Sequence, residues 1–474
     1  MELNGKRALV VGLGKSGVAS ALFLKAHGAH VTVSDTKSGD ELRNEIPVLL
    51  DHGITVETGG HGDRTFRGQD LIVVSPGVPV DAPPLAQARA QGGVVIGEIE
   101  LAAQFLPGPI VAITGSNGKT TTTTLVGEIM TAAGFAALVG GNIGTPAISL
   151  AGRAQPETVI VLEVSSFQLE TIQTFRPKVA VILNVTPDHL DRHRTFEAYV
   201  DAKARIFENQ QASDFAVLNA DDPTCVAMAA RTKAQVFWFS RQKEVQQGAW
   251  SHDGKILFRN KNKNEDGQRE IMQVSEIPLK GAHNLENVLA AVCAGVLMGC
   301  APEKIRQAVR DFKAVEHRLE FVATIRGVDY YNDSKATNVD ATIKALESLP
   351  ANIHLILGGK DKGSDYTALN DLLRQRVKRV YTIGAAAAKI ESQIASSLAA
   401  HSGTHSGAHG KSGGPELVSA QTLENAVRKA YAAAQPGDVV LLAPACASFD
   451  QFKSYEHRGR VFKDLVQTLA ADPK

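Results

Sequence analysis

The residues best suited to chemistry form one run, Gly115-Ser116-Asn117-Gly118-Lys119-Thr120-Thr121. A glycine turn followed at once by lysine and threonine aims backbone N–H groups, an ammonium and a hydroxyl at a phosphate. Lys119 is placed to reach the terminal phosphates of a nucleotide, and the Thr120 hydroxyl to take a Mg²⁺ ligand position. The pattern G-x-x-x-x-G-K-[ST] is not met in full, because Ile113 stands five positions before Gly118. The loop is therefore shorter than that of most nucleotide hydrolases. An ordinary Gly/Asn turn capped by threonines is the plain alternative; the Gly-Lys-Thr-Thr core favours the use of ATP.

Other reactive residues follow in order. Glu163 ends the apolar run Thr158–Glu163, and an acid at a strand tip beside a phosphate loop commonly faces Mg²⁺. The run Val179–Asn184 empties into Thr186-Pro-Asp-His-Leu-Asp-Arg-His193, where Asp188, His189, Asp191 and His193 suggest a metal cluster or simply solvated loop residues. His189 comes soonest after the strand and is the best candidate to face a site. Lys203 shares a helical stripe with Phe196, Tyr199, Val200, Ile206 and Phe207. It either snorkels its ammonium to water or is desolvated enough to take up carbon dioxide as a carbamate. The second form would add an oxygen ligand to a Mg²⁺ site with Glu163 and His189. Asn142 sits in the turn Gly140–Gly144, while Asn284 and Asn287 precede an apolar helix (Val288–Met298) and either cap it or meet a base edge. Capping is the safer reading for Asn284.

Near the start, Gly12-Leu-Gly14-Lys-Ser16-Gly17 follows the strand Arg7–Val11 and opens a helix, and Asp35 ends the next strand. Taken literally this is a dinucleotide-binding fingerprint, and so an oxidoreductase. The same turn would hold any nucleotide diphosphate, with Asp35 accepting from a uracil N–H. Ser75-Pro-Gly follows the strand Leu71–Val74, at the end of an open α/β sheet where ligands bind.

These residues need parallel strands with helices between them. The pattern predicts an α/β protein of three domains: a Rossmann-like nucleotide-binding domain over 1–98, a P-loop-type ATPase domain with a parallel sheet over 99–314, and a C-terminal Rossmann-like domain over 315–474. In the last, Tyr330–Asn338, Gly358–Gly363 and Pro444–Phe452 read as polar loops after strands. Residues 241–276 read as a polar, strand-poor surface excursion with a hairpin. Residues 401–414, with His401, His405 and His409, read as a low-complexity surface loop.

Composition narrows the classes. Fifty lysines and arginines balance fifty aspartates and glutamates without a basic block, so nucleic-acid binding has no electrostatic footprint. No signal-peptide profile and no apolar run of spanning length appear. The four cysteines form no C-x-x-C pair. A cytoplasmic protein without membrane insertion is expected.

Six motifs in order, Gly-Ser-Asn-Gly-Lys-Thr-Thr, Leu-Glu-Val-Ser-Ser-Phe-Gln-Leu-Glu, Asp-His-Leu-Asp-Arg-His, His-Asn-Leu-Glu-Asn, Glu-His-Arg and Asn-Asp-Ser-Lys-Ala-Thr-Asn, resemble those of the Mur ligase family. The resemblance covers the chain apart from 241–276 and 401–414. It implies an ATP-dependent amide ligase of peptidoglycan precursor synthesis, a monomer acting on UDP-N-acetylmuramoyl-L-alanine and D-glutamate through an acyl phosphate. By this resemblance Ser16, Asp35, Thr36, Ser75 and Asn142 hold the UDP-sugar, with His189 beside them. Gly115 to Thr121, with Lys119 as a catalytic cation, hold the ATP phosphates. Asn287 faces adenine, and Arg318, Asp333 and Lys335 help hold the nucleotide. Thr120, Glu163, His189 and a carbamylated Lys203 arrange two Mg²⁺ ions. Lys335, Thr337, Lys362, Ser448 and Phe449 bind D-glutamate, as does Tyr455, where the family more often carries Phe.

Overall fold

The computed structural model describes residues 1–62, 64–261, 267–279, 281–313, 316–401 and 414–471. Two compact units divide the chain. The first comprises Met1–Pro187, Thr195–Pro278 and Leu285–Phe312; the second comprises Asp188–Arg194, Leu279–Asn284 and Lys313–Lys474.

The first unit holds two sheets. Strands β1 (Arg7–Val11), β2 (His30–Ser34), β3 (Thr55–Glu57), β4 (Leu71–Val74) and β5 (Val94–Gly97) pair in the order β3-β2-β1-β4-β5. All pairings are parallel, with Val10 opposite both Val33 and Val73. Strand order reverses between β1 and β4, and that switch point is where such sheets bind ligands. The glycine turn after β1 and Ser75 after β4 both lie there.

The larger sheet contains β6 (Ile110–Thr114), β7 (Ala137–Gly141), β8 (Val159–Glu163), β9 (Val179–Ile182), β10 (Phe215–Asn219), β11 (Gln235–Ser240), β12 (Gly248–His252), β13 (Lys255–Arg259) and β14 (Gln268–Gln273). Its order is β14-β13-β12-β11-β10-β9-β6-β8-β7. β6 is fully buried between β8 and β9, so its carboxyl end opens onto both neighbours. Near-continuous Val, Ile, Leu and Ala runs are what parallel strands covered on both faces require. One core is continuous between the two sheets, running from Leu24, Val33 and Ile99 to Ile148, Leu162 and Ile182.

The expectation of a strand-poor excursion over 241–276 is corrected here. β12, β13 and β14 extend the sheet, β12 parallel to β11 and β13 antiparallel to both β12 and β14. Their apolar residues are few and lie among charged ones, which hides the pattern in one dimension. In the sheet Trp250, Ile256, Phe258 and Met272 are all buried, and Phe258 stacks on Phe237 with ring centroids 6.2 Å apart. Burying one such side chain contributes about 2–3 kcal/mol, enough to hold a meander with polar outer residues. A second correction concerns Asn284. The helix Ala282–Leu297 begins before it, so Asn284 lies in the first turn, its N–H donating to Gly281, and is not the cap.

The second unit carries β15 (Glu320–Ile325), β16 (Val328–Asn332), β17 (Ile353–Gly358), β18 (Val377–Ile383), β19 (Glu416–Gln421) and β20 (Val439–Leu442), ordered β15-β16-β20-β17-β18-β19. Only β15 runs antiparallel to its neighbour. The first of the three polar loops starts later than the sequence suggests, because Tyr330 to Asn332 complete β16. Apolar clusters cover both faces of the sheet. The side chains of His401, His405 and His409 lie outside the described residues. Among the described residues no helix is long and apolar enough to cross a membrane.

Candidate active site

In the first unit the loop after β6 is stitched to the chain that leaves β9. Ser116 N–H donates to the Asn184 carbonyl (2.9 Å), and Asn117 N–H to the Asn184 side chain (2.8 Å). The Asn184 amide returns a bond to the Asn117 carbonyl (3.2 Å). The Ser116 hydroxyl donates to the Thr186 carbonyl (2.8 Å) and meets the Tyr199 hydroxyl at 3.1 Å. A rigid loop presents its N–H groups without reordering when an anion arrives. Gly118 begins the helix Lys119–Ala132 at φ 84, and a Cβ there would stand 2.1 Å from Asn287 Oδ1. Glycine is required on both counts. Asn287 itself is buried and accepts from the Thr122 hydroxyl (3.3 Å), so its oxygen meets the helix that follows the loop.

Glu163 ends β8 and is 1% exposed. It accepts from the Thr120 hydroxyl (2.7 Å) and from the Asn142 amide (2.8 Å). Oxygen donors gathered at a buried carboxylate beside a phosphate loop are the donor chemistry that Mg²⁺ takes, so these residues fit the ion. Asn142, at the end of β7, is thus a partner of Glu163. Two lysines converge on the loop. Lys119 folds over it and donates to the carbonyls of Gly115 and Ser116, each at 2.9 Å. Lys203, 1% exposed, donates to the same Gly115 carbonyl at 2.8 Å and lies 4.5 Å over the Tyr199 ring. The snorkelling reading of Lys203 is corrected: its ammonium is not in water. Thr121 is buried beside Thr120 in the first turn.

At the first sheet's switch point the Ser75 hydroxyl donates to the Gly12 carbonyl (2.7 Å). A Cβ at Gly17 would stand 1.9 Å from Gly12 O, so only glycine lets the helix approach the turn. Asp35 accepts from Leu13 N–H (2.6 Å) and Lys37 N–H (2.8 Å). It therefore braces the glycine turn, and two oxygens with about four lone pairs retain capacity for a ligand. Ser16 is half-buried in the first helical turn and Thr36 is exposed beside Asp35.

The second unit gathers the remaining residues. Arg318 lies between two non-glycine residues in the left-handed region, His317 (φ 65) and Leu319 (φ 42), a strained arrangement of the kind found at functional sites. Asp333 accepts from Leu319 N–H (3.2 Å). Burial pushes its carboxyl up to about 6 against the pull of Arg318 and Lys335. Lys335 donates to the Tyr455 hydroxyl (3.1 Å) and lies 4.9 Å from the centre of that ring. The departure from Phe therefore gives the lysine a polar anchor. Thr337 N–H donates to the Lys335 carbonyl (2.8 Å). Ser448 is buried and Phe449 is 69% exposed. Lys362 pairs with Asp188 (3.6 Å), and His189, at φ 55, follows directly.

Several supporting residues escaped sequence reasoning. Arg458 is fully buried and donates to the Ser334 hydroxyl (3.0 Å), the Ser334 carbonyl (2.7 Å) and the Cys446 carbonyl (3.2 Å). It thereby ties the loop after β16 to the loop after β20. Glu98, 1% exposed, accepts from Ile148 N–H (2.8 Å), and burial pushes its carboxyl up to about 7 despite further bonds from Ala147 and Gln168. It braces the segments that follow Asn142 and Glu163. A buried arginine in a helix carries no sign in sequence. Asn184, directly in line after an apolar strand, does.

Three family models match successive parts of the chain. Residues 6–97 match the Mur ligase MurD-like N-terminal domain, 113–295 the Mur ligase middle domain and 317–446 the Mur ligase glutamate ligase domain. A protein of Koribacter versatilis named UDP-N-acetylmuramoylalanine–D-glutamate ligase is 65% identical over 474 residues, covering all of both chains. One of the same name from Acidobacterium capsulatum is 59% identical over 98% of this chain and 97% of its own. Among solved structures, UDP-N-acetylmuramate-alanine ligase of Thermotoga maritima shares the fold at a TM-score of 0.58 and 18% identity, covering 98% of this chain and 99% of its own. A pseudomurein peptide ligase type C of Methanothermus fervidus does so at the same TM-score and identity, covering 98% and 100%. Domain matches along most of its length and relatives identical at more than half of all positions establish that the chain belongs to the Mur ligase family.

Proposed function

We propose that this protein is an ATP-dependent ligase that forms the amide bond between D-glutamate and UDP-N-acetylmuramoyl-L-alanine, a step of peptidoglycan precursor synthesis that serves cell-wall growth and division. The observation that carries the reading is the convergence of Lys119, Thr120, Glu163 and Lys203 on one short phosphate loop. The names of the full-length relatives supply the substrates. The functional division is three-part: 1–98 for the UDP-sugar, 99–314 for ATP and 315–474 for the amino acid, in a cytoplasmic monomer.

A carboxylate does not condense with an amine near neutral pH, because oxide is a poor leaving group. Attack of the alanyl carboxylate on the γ-phosphorus of ATP gives an acyl phosphate and ADP. The uncharged amine of D-glutamate then attacks the acyl carbon, phosphate leaves, and the nitrogen gives up a proton. Negative charge builds in both steps, and Lys119 with the loop N–H groups offsets it. Mg²⁺ bound to Glu163 and Thr120 would supply further positive charge, with His189 and a carbamylated Lys203 as additional ligands. Carbamylation would also remove a buried ammonium whose desolvation is costly. Ser16, Asp35, Thr36 and Ser75 hold the UDP-sugar, and Asn142 and His189 also meet it. Asn287, Arg318, Asp333 and Lys335 hold the nucleotide. Lys335, Thr337, Lys362, Ser448, Phe449 and Tyr455 orient the amino acid, so that binding energy is used for proximity.

Phosphate release from ATP and Mg²⁺ with UDP-N-acetylmuramoyl-L-alanine tests this directly. D-glutamate should support release, with a product heavier by one glutamate residue, while L-glutamate, L-lysine and no amino acid should not. Release with a different amino acid moves the assignment within the family, and no release with any of them overturns the ligase reading.

A further inference from the structure

Asp188 is held at several points within the second unit. One carboxylate oxygen lies 3.6 Å from Lys362 Nζ, and the other accepts from the Asn338 amide at 3.0 Å. The first also accepts from His189 N–H (2.9 Å). Asn338 caps the helix Val339–Ser348, its own oxygen taken by Ala341 N–H (2.8 Å), so its amide is turned to Asp188. The side chains of Asp188 and Lys362 are only 8% and 17% exposed, which shields the pair from salt. The segment these bonds anchor is a single turn, Leu190–His193, bracketed by two non-glycine residues at positive φ, His189 (55°) and Arg194 (68°). A backbone of that kind persists only where its surroundings hold it.

Lys362 is among the residues proposed above to orient the amino acid, an ammonium suited to one of that substrate's carboxylates, and the present inference rests on that reading. In this structure a carboxylate of the protein already stands there. We propose that Asp188 is a placeholder carboxylate, occupying Lys362 until the substrate carboxylate takes its place and so releasing the segment that carries His189. Asp188 is then a positioning residue that acts through Lys362 and His189, and arrival of the amino acid is coupled to the setting of the histidine. The ligand chemistry is a carboxylate able to exchange with a carboxylate on one lysine.

Asp188→Asn keeps a side-chain oxygen for the Asn338 amide and removes the charge that competes for Lys362. With ATP and UDP-N-acetylmuramoyl-L-alanine saturating, the KM for D-glutamate should fall about fivefold, the size of a modest ion pair. The KM for ATP should not move. A general structural defect would shift both or raise both, and an unchanged or raised KM for D-glutamate overturns the placeholder. Hydrogen exchange on the unaltered enzyme gives a second readout: amides of residues 189–194 should exchange faster once D-glutamate is saturating, and unchanged or slower exchange overturns the proposal. D-glutamate-dependent phosphate release by the unaltered enzyme separates the two readings. With it present, these negative results sink the placeholder alone; with it absent, the ligase reading falls and the placeholder with it.

Discussion

Lys203 and Lys119 both donate to the carbonyl of Gly115, so two ammonium groups share one dipole at the mouth of the phosphate loop. An exposed pair would be indifferent to this; Lys203 is buried. Taking an ammonium out of water is unfavourable by several kcal/mol after relaxation, and the carbamate proposed above would turn that liability into an oxygen ligand. Lys203→Ala should lower turnover by about a hundredfold, the scale of losing one electrostatic contact to a transition state. Short carboxylic acids such as formate or acetate should restore part of it. Equal activity with and without added acid would remove the carbamate from the mechanism. The stripe of Tyr199 and Phe207 around Lys203 is readable in sequence. The carbonyl its amine meets, 88 positions away, is not.

At the scale of elements, many site residues sit on loops or first helical turns at the carboxyl ends of parallel strands, and the loops are held by side chains outside the motifs. Arg458 is the clearest case, with three bonds joining the loops after β16 and β20 while burial brings its guanidinium down to about 10. Arg458→Met leaves the Ser334 and Cys446 acceptors without this donor and should cost about 2–3 kcal/mol. Calorimetry should show it as an earlier transition of the C-terminal unit. Arg458→Lys keeps the charge but cannot span both loops, so it should recover less than half of the loss. Full recovery by lysine would make the charge, rather than the fork of donors, the stabilising feature. The three strands over Gly248–Gln273 show the opposite limit. Their alternation is broken by charged residues, and pairing with β11, not local pattern, makes them strands.

For the whole first unit, Glu98 makes stability depend on pH. Its carboxyl is raised from 4.5 to about 7 by burial, so the folded chain keeps a proton that the unfolded chain has lost. Stability from this group is complete below pH 4.5 and declines as the pH rises to about 7, by on the order of 3 kcal/mol. Glu98→Gln, which keeps an acceptor for Ile148 N–H, should abolish that slope. Unfolding midpoints of the two proteins, compared between pH 5 and pH 8, should converge at low pH and favour the variant at high pH. An identical pH response in both would show that Glu98 ionises normally in the fold. Because Glu98 lies at the end of β5 and braces segments beyond β7 and β8, the linkage ties the first sheet to the second.

Local pattern was enough to identify the strand Leu71–Val74, a strand starting at Val179 (read on to Asn184, though it ends at Ile182), the glycine turns after β1 and β6, the acid at the tip of β8 and the lysine at the start of the helix that follows the loop. Strand period, glycine at positive φ and the chemistry of lysine, threonine and carboxylate all act over a few residues, so they are legible in one dimension. Which groups meet is a different matter. Asn142 on Glu163, Asp35 on its own glycine turn, Tyr455 on Lys335 and Asp188 on Lys362 join residues 21, 22, 120 and 174 positions apart. Such pairings depend on strand order and packing, which bring distant loops to one sheet edge and set which polar groups are buried together. No short stretch of chain carries that information, because the free energy that selects a partner is the shared cost of leaving water.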